Sequence, residues 1–318
     1  MADGRKALMV ALGALLLAAA PAAGQSVERS LAVAVLDDDG APVPGLRAAD
    51  FVVREDGVQR EVLRVRQDTE PLQIALLVDT SEAAARAIGD FRKGLRGFID
   101  AMDGDDRMAI IGFGGRPQIL AASTSERAPL LDAADELFSS AGTAAYLLDA
   151  LSETAEGFIK REASRPVLVV LATEGLDHSH SNVTSVLRTL EDAAITVQTV
   201  VLTGRSYGNT FNRARGRFNP LNEAGGVGGD ALAQWRIDRD QVLQRGPPLT
   251  GGRRRNLVAH SGVERTMRAV AAELRSRYLV VYAAPGALIP PEGVDVDVER
   301  DDVSVRGVPV DAAEAFGR

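Results

Sequence analysis

The chain has 318 residues, 46% of them hydrophobic and 25% charged. That is ordinary globular composition, with room for one large domain and a smaller one. A net charge of −8, from 36 basic and 44 acidic residues, gives no reason to expect nucleic-acid binding. The absence of cysteine excludes both a disulfide framework and a lipid-modified N-terminal Cys, so the core alone must stabilise the fold.

Residues 1–24 read as a signal peptide. Arg5 and Lys6 precede the apolar run 7–20, and Ala22 and Gly24 fit the −3 and −1 positions of a cleavage site before Gln25. The run is shorter than the ~20 residues of a membrane span. This predicts an exported protein, periplasmic or extracellular, with no transmembrane segment in the mature chain. Residues 25–70 read as a small β-rich N-terminal unit. In it "EDGV" carries the Asp-Gly signature of a hairpin turn. Asp37, Asp38 and Asp39 are consecutive and lack the alternate spacing of an EF-hand loop, so they read as a solvated turn.

From residue 71 the pattern changes. The largely apolar runs 72–80, 107–114, 165–175 and 195–202 alternate with segments of helical periodicity at 83–102, 126–140, 143–163 and 181–194. Continuous apolar strands between helices predict a mostly parallel sheet covered on both faces. The "GGRP" link between the strands at 107–114 and 117–124 permits only a hairpin, so one edge strand must run antiparallel. The predicted fold class is therefore α/β, a doubly wound sheet of Rossmann-like type. It spans 71–285 and ends in a helix at 263–277 and a last buried strand at 278–285. An Arg- and Gly-rich insertion at 203–255 interrupts it, with a short helix expected at 234–244 around Trp235. Seven arginines (205, 213, 215, 217, 236, 239 and 245) lie in it, followed by Arg253, Arg254 and Arg255. Residues 286–318 alternate as a C-terminal β-hairpin and tail turning at 300–302. The two β-rich ends are expected to pair into one small sheet.

Several strand ends carry polar groups: Asp79 and Ser81 after the first strand, Thr143 at the start of the long helix, and Glu174 after the third strand. A doubly wound sheet brings such ends together. With "IALLVDTS", "GTAAYLLDAL", "DDGAPVPGLRAADFVVREDGVQREV" and "AAELRSRYLVVYAAP" in this order, the chain resembles von Willebrand factor type A (VWA) proteins. More narrowly it resembles the secreted bacterial VWFA-related group, over nearly the whole mature length. The resemblance implies a metal-ion-dependent adhesion site that holds Mg²⁺ or Mn²⁺ through Asp79, Ser81, Thr143 and Glu174. It also implies a protein ligand whose carboxylate completes the coordination. The match is partial, because Ala83 stands at the second serine and Glu174 at the aspartate. Both a weakened divalent-cation site and no cofactor at all stay open. His178 and His180 beside Asp177 could draw such a site towards Zn²⁺, or form an ordinary polar loop.

No G-x-S-x-G elbow, Walker motif or dinucleotide fingerprint is present. Asp149 and Glu153, one helical turn apart, read as a solvated face. The expectation is a non-enzymatic, exported protein-binding module for adhesion or assembly, with metal dependence weakened or lost. It would use the upper face of the sheet and an acidic partner met by Arg253, Arg254 and Arg255. The alternatives are a metal-dependent hydrolase working at the same strand ends and a structural component of an envelope assembly.

Overall fold

The computed structural model describes residues 26–102, 104–203, 229–286, 291 and 293–310. The signal peptide at 1–24 and Arg205, Arg213, Arg215 and Arg217 lie outside the described residues. In chain order the strands are β1 (Ser26–Asp37), β2 (Phe51–Glu55), β3 (Val58–Arg60), β4 (Val62–Gln67), β5 (Gln73–Val78), β6 (Arg107–Gly112), β7 (Gln118–Thr124), β8 (Pro166–Thr173), β9 (Thr196–Leu202), β10 (Arg254–Leu257), β11 (Tyr278–Pro285), β12 (Val294–Val298) and β13 (Val303–Val310). The helices are α1 (Ile88–Ala101), α2 (Arg127–Asp135), α3 (Leu147–Lys160), α4 (Val183–Asp192), α5 (Gly229–Leu249) and α6 (Val263–Arg275).

Six strands form the central sheet in the order β10-β9-β8-β5-β6-β7. All pairings are parallel except β6 with β7, so the antiparallel edge strand expected from the short "GGRP" link is present. The strands β5 and β8 are apolar along their length because both faces are covered. On one face α1, α2 and α6 pack through Phe91, Leu95, Phe98, Leu130, Met267 and Val270. On the other, α3, α4 and α5 pack through Leu148, Leu151, Val186, Leu190, Val242 and Leu243. The winding reverses beside β5, which places the crevice for polar chemistry at the carboxyl ends of β5 and β8.

The two ends of the chain meet, as the alternating patterns suggest, but in two sheets rather than one. The first is four-stranded, β13-β1-β11-β4; the second is three-stranded, β12-β2-β3. They enclose a separate core of Leu31, Val33, Val35, Phe51, Val53, Val280, Tyr282 and Val298. Two expectations are corrected here. The strand at 278–285 does not end the α/β sheet, because β11 pairs with β1 and β4 in the sandwich. An apolar run announces burial, not which sheet it joins. Nor do β12 and β13 form a hairpin, since β12 bonds to β2 and β13 to β1. Both strands turn their alternate valines into the one core, so they face each other across it. A Cβ added at Gly307 would come within 2.5 Å of Val296 Cγ1. The hairpin expected at "EDGV" is present, with Asp56 (φ 49°) and Gly57 (φ 78°) both left-handed, as a two-residue type I′ turn demands.

Tyr278 anchors the sandwich. Its ring meets Phe51 edge-on at 5.6 Å, and its buried hydroxyl donates to Val43 O (2.7 Å) while accepting from Leu46 N (3.3 Å). Tyr278→Phe is expected to lower stability by about 1–2 kcal/mol, because two backbone groups lose their partner. A urea unfolding curve with an unchanged midpoint would contradict this.

The insertion expected at 203–255 is more regular than its composition suggests. Its second part forms α5, 21 residues long where a short helix over 234–244 was expected, and then β10. Together they make the last crossover of the sheet. Pro247 and Pro248 fall in the final helical turn, and Thr250 N and Gly252 N bond back to Pro247 O.

Candidate functional site at the strand ends

β5 ends at Val78, and Asp79 follows with 0% of its surface exposed. Its Oδ1 accepts from Ser81 N (3.0 Å) and Ser81 Oγ (2.6 Å). Its Oδ2 accepts from Thr173 N (3.1 Å) and Thr173 Oγ1 (2.7 Å) at the end of β8. A carboxylate offers about four lone-pair sites, and these four donors use them. Thr80 faces the other way, its Oγ1 accepting from Gly114 N at 2.8 Å. The chains there are so close that a Cβ on Gly114 would stand 2.1 Å from the Thr80 carbonyl carbon.

The loop carrying Thr143 docks on the same turn. Glu82 N donates to Thr143 O (3.1 Å), and Gly142 N donates to Glu82 Oε2 (3.0 Å). The Thr143 hydroxyl donates to Ser140 O at 2.9 Å. Ala145 joins the ends of β6 and β8 through bridges to Gly114 and Asp177. Glu174 donates its backbone N–H to Leu202 O, and its side chain lines a small pocket with Gly175, Leu176, Arg236, Arg239, Asp240 and Leu243. Asp79, Ser81, Thr143 and Glu174 are thus brought to one edge of the sheet. Asp79 accepts four hydrogen bonds from Ser81 and Thr173, and Ala83 offers no side-chain oxygen beside them. Among the described residues no group of three or more His, Cys, Asp or Glu side chains is placed to hold a metal ion.

A residue not singled out from the sequence occupies the centre. Arg239 of α5 is only 2% exposed, and its Nη2 lies 3.6 Å from Asp79 Oδ2. Its guanidinium also donates to Gly175 O (3.0 Å) and to Thr173 O. The signal in the sequence was an arginine on an apolar helical stripe with Val242, Leu243 and Gly246, all buried. Asp177, also buried, accepts from Leu147 N (2.8 Å) and Ser179 N (3.0 Å), which fastens the start of α3. Burial raises the Asp177 carboxyl above its ordinary value, partly opposed by the charge of Arg239 and the bonds from Ser179 and Leu147.

Asp149 is not a solvated helix residue. It accepts from His180 N and Ser181 N, and so closes the loop 177–181 over α3. Burial opposes its charge, yet the bonds from Ser181 and His180 win and hold its carboxyl below the ordinary value. His178 packs against Trp235 of α5, ring centroids 4.5 Å apart, and near Tyr146 at 6.3 Å. His178 therefore serves the seam between this loop and α5, whereas His180 lies exposed beside Asp149 and Tyr146. Burial lowers the His178 pKa from its ordinary 6.5. A His with a depressed folded pKa binds fewer protons in the native state, so stability rises with pH across the window between the folded value and 6.5. Acidification from pH 7.5 to 5.5 is expected to lower the unfolding midpoint of the wild type more than that of His178→Phe. Equal slopes in thermal melts would rule this out.

Arg253, Arg254 and Arg255 do not belong to this edge. They enter and begin the edge strand β10, with Arg254 paired to Thr199 halfway along β9. Arg255 is drawn inward to Glu273 of α6 and donates to Gln198 Oε1 at 2.8 Å. Arg254 Nε donates to Asn256 Oδ1 at 2.9 Å. The three residues, expected to meet a partner at the upper face, thus lie at and before the start of β10, with Arg255 turned inward. An arginine run reads as exposed until a buried carboxylate from elsewhere in the chain claims one of its members.

The sheet order, the antiparallel edge strand and the Asp-Thr-Ser turn after the central strand decide the layout. It is a doubly wound α/β sheet with one antiparallel edge strand, the layout expected from the resemblance. Among solved structures, the chain is similar to a von Willebrand factor type A protein from Catenulispora acidiphila, at 11% identity over 90% of this chain and 74% of that one, with a TM-score of 0.46. It is also similar to the conserved hypothetical protein BatB from Bacteroides thetaiotaomicron, at 13% identity over 64% of this chain and 100% of that one, TM-score 0.42. A third is an aerotolerance-related membrane protein from Bacteroides fragilis, at 12% identity over 63% and 98%, TM-score 0.40. No protein-family model matches the chain, and no curated protein matches it. No helix among the described residues is long and apolar enough to cross a membrane.

Proposed function

We propose that this VWA-type protein is an exported, non-enzymatic module that binds a protein partner for adhesion or assembly, with no requirement for a divalent cation. The observation that carries the reading is the closure of the strand-end site. Asp79 is wholly buried and hydrogen-bonded on both oxygens, and Arg239 beside it is 2% exposed. A carboxylate so enclosed has no path to a substrate or to an attacking water. That speaks against the hydrolase alternative, which needs an accessible base or metal-bound water. Binding then falls to the surface around the closed site. Arg236 and Arg245 on the exposed side of α5 support an acidic partner.

A second reading, a structural part of an envelope assembly, has its own support. β7 is an open sheet edge, and Ile119 on it is 72% exposed.

The test is a photo-crosslinking residue placed at Arg236 in the protein expressed in its own cell. A discrete adduct with one protein, insensitive to chelator and absent when the probe sits at Ile119, is expected. An adduct only from Ile119 would favour sheet-edge assembly. No adduct from either, with chelator-sensitive hydrolysis of peptide or phosphate esters, would favour the enzyme. N-terminal sequencing of exported material checks cleavage before Gln25.

A further inference from the structure

We infer that Arg239 is the permanent cation of the strand-end site: its guanidinium, delivered by α5, neutralises Asp79 in place of a divalent metal ion. A buried carboxylate without a counter-charge is strongly destabilising, and such charges in proteins are paired or bound to metals. Here the pair is internal. Asp79 is 0% exposed, Arg239 is 2% exposed, and their nearest charged atoms are 3.6 Å apart. Asp177, 2% exposed, is a second buried carboxylate within the field of the same guanidinium.

Three further observations agree. Arg239 donates to the carbonyl oxygens of Thr173 and Gly175, so the free end of β8 is satisfied by the cation from α5. Both departures from the adhesion motif make sense around it. A Cβ at Gly175 would lie 2.9 Å from Ala83 Cβ and 3.4 Å from Arg239 Nη1, so Gly175 packs against both Ala83 and the guanidinium. A side chain at residue 175 would compete with the guanidinium for that space and press on Ala83. Glu174, standing where the motif has its third-loop aspartate, lines the pocket beside Arg239, while the four donors to Asp79 come from Ser81 and Thr173. A divalent ion entering here would displace these hydrogen bonds and sit beside a buried positive charge. Arginine stays protonated throughout the accessible pH range, so the positive charge at this position is permanent. The inference rests on the strand-end geometry and not on the identity of a partner, so it and the binding role fail separately.

Thermal unfolding of the purified protein tests it, first in EDTA and then in millimolar Mg²⁺, Mn²⁺ or Ca²⁺. A native-state ligand in hundredfold excess over its Kd would raise the midpoint by several degrees. The expected result is the same midpoint in all four conditions. Arg239→Met is expected to lower the midpoint by about 6 °C or more. The double variant Asp79→Asn with Arg239→Met should be more stable than Arg239→Met alone, because no charge is left buried. A rise with any of the ions that disappears in Asp79→Asn overturns the inference. So does an Arg239→Met midpoint within about 1 °C of wild type. Should Arg239→Met fail to fold, the wild-type titration decides by itself.

Discussion

Glu273→Ala is expected to lower stability by about 3–5 kcal/mol, the range for removing one partner of a buried ion pair. Glu273 is 1% exposed on the inner face of α6. Its Oε2 takes the Arg255 guanidinium, and its Oε1 accepts from Gln198 Nε2 at 3.0 Å. Arg277, 5% exposed, bonds to Thr196 Oγ1 at 3.1 Å and depends on the same carboxylate for its charge. Burial disfavours the charged form of both arginines, and Glu273 favours it. Alanine would leave two guanidinium groups in the interior with no acid between them. The cluster joins α6, β9 and β10, so β10 should be the first element to detach. The check is a urea unfolding curve together with amide exchange at Asn256 and Leu257. Glu273→Gln, which keeps the bond to Gln198 but not the charge, should fall between wild type and alanine. A loss under about 1 kcal/mol for Glu273→Ala would mean that water reaches the arginines.

Gly114→Ala should be comparably damaging, for a steric reason. Its Cβ would lie 2.1 Å from the Thr80 carbonyl carbon and 2.2 Å from Ser81 N. Backbone cannot rotate away as a side chain can, so the segment after β6 must move off the Asp79–Ser81 turn. The bond from Gly114 N to Thr80 Oγ1 would break with it. Overpacking of this kind costs about 3 kcal/mol or more where the neighbour is main chain. Gly89→Ala is the matched control. Gly89 is exposed in α1 and a Cβ there meets nothing within 4 Å, so alanine should stabilise by about 0.5–1 kcal/mol. Similar midpoints for the two variants would refute the close approach.

The strands legible in the sequence were those whose whole surface is apolar. β5, β8 and β9 are buried on both faces and announce themselves, as does the β6–β7 edge through its short link. β10 was not legible. Its sequence "RRNL" carries no apolar run, because an edge strand that uses an arginine to reach a buried acid has little need of one. α5 was underestimated because Gly and Pro at its ends read as loop, and its strongest inward contact is made by a charged residue. The site divided in the same way. Asp79 and Ser81 were visible because they close a strand within two residues of each other. Thr173 was hidden as the last residue of an apolar run. Arg239 was hidden by distance, 160 residues from the carboxylate it neutralises, on a helix whose other arginines, Arg236 and Arg245, are exposed.

The sandwich has a consequence for how the chain comes together during synthesis. β1 spans residues 26–37, yet its neighbours are β11 and β13, which begin at residues 278 and 303. The α/β unit, from β5 to α6, lies wholly between β4 and β11. A ribosome therefore releases the whole α/β unit before β1 can find either partner. Until then β1 is an apolar strand with both edges open, the kind of segment that chaperones hold and aggregates recruit. The closing step joins residues some 250 positions apart, and such long-range pairing is slow. A stall or truncation before residue 278 would thus yield a folded α/β unit trailing an unpaired and adhesive N-terminal strand.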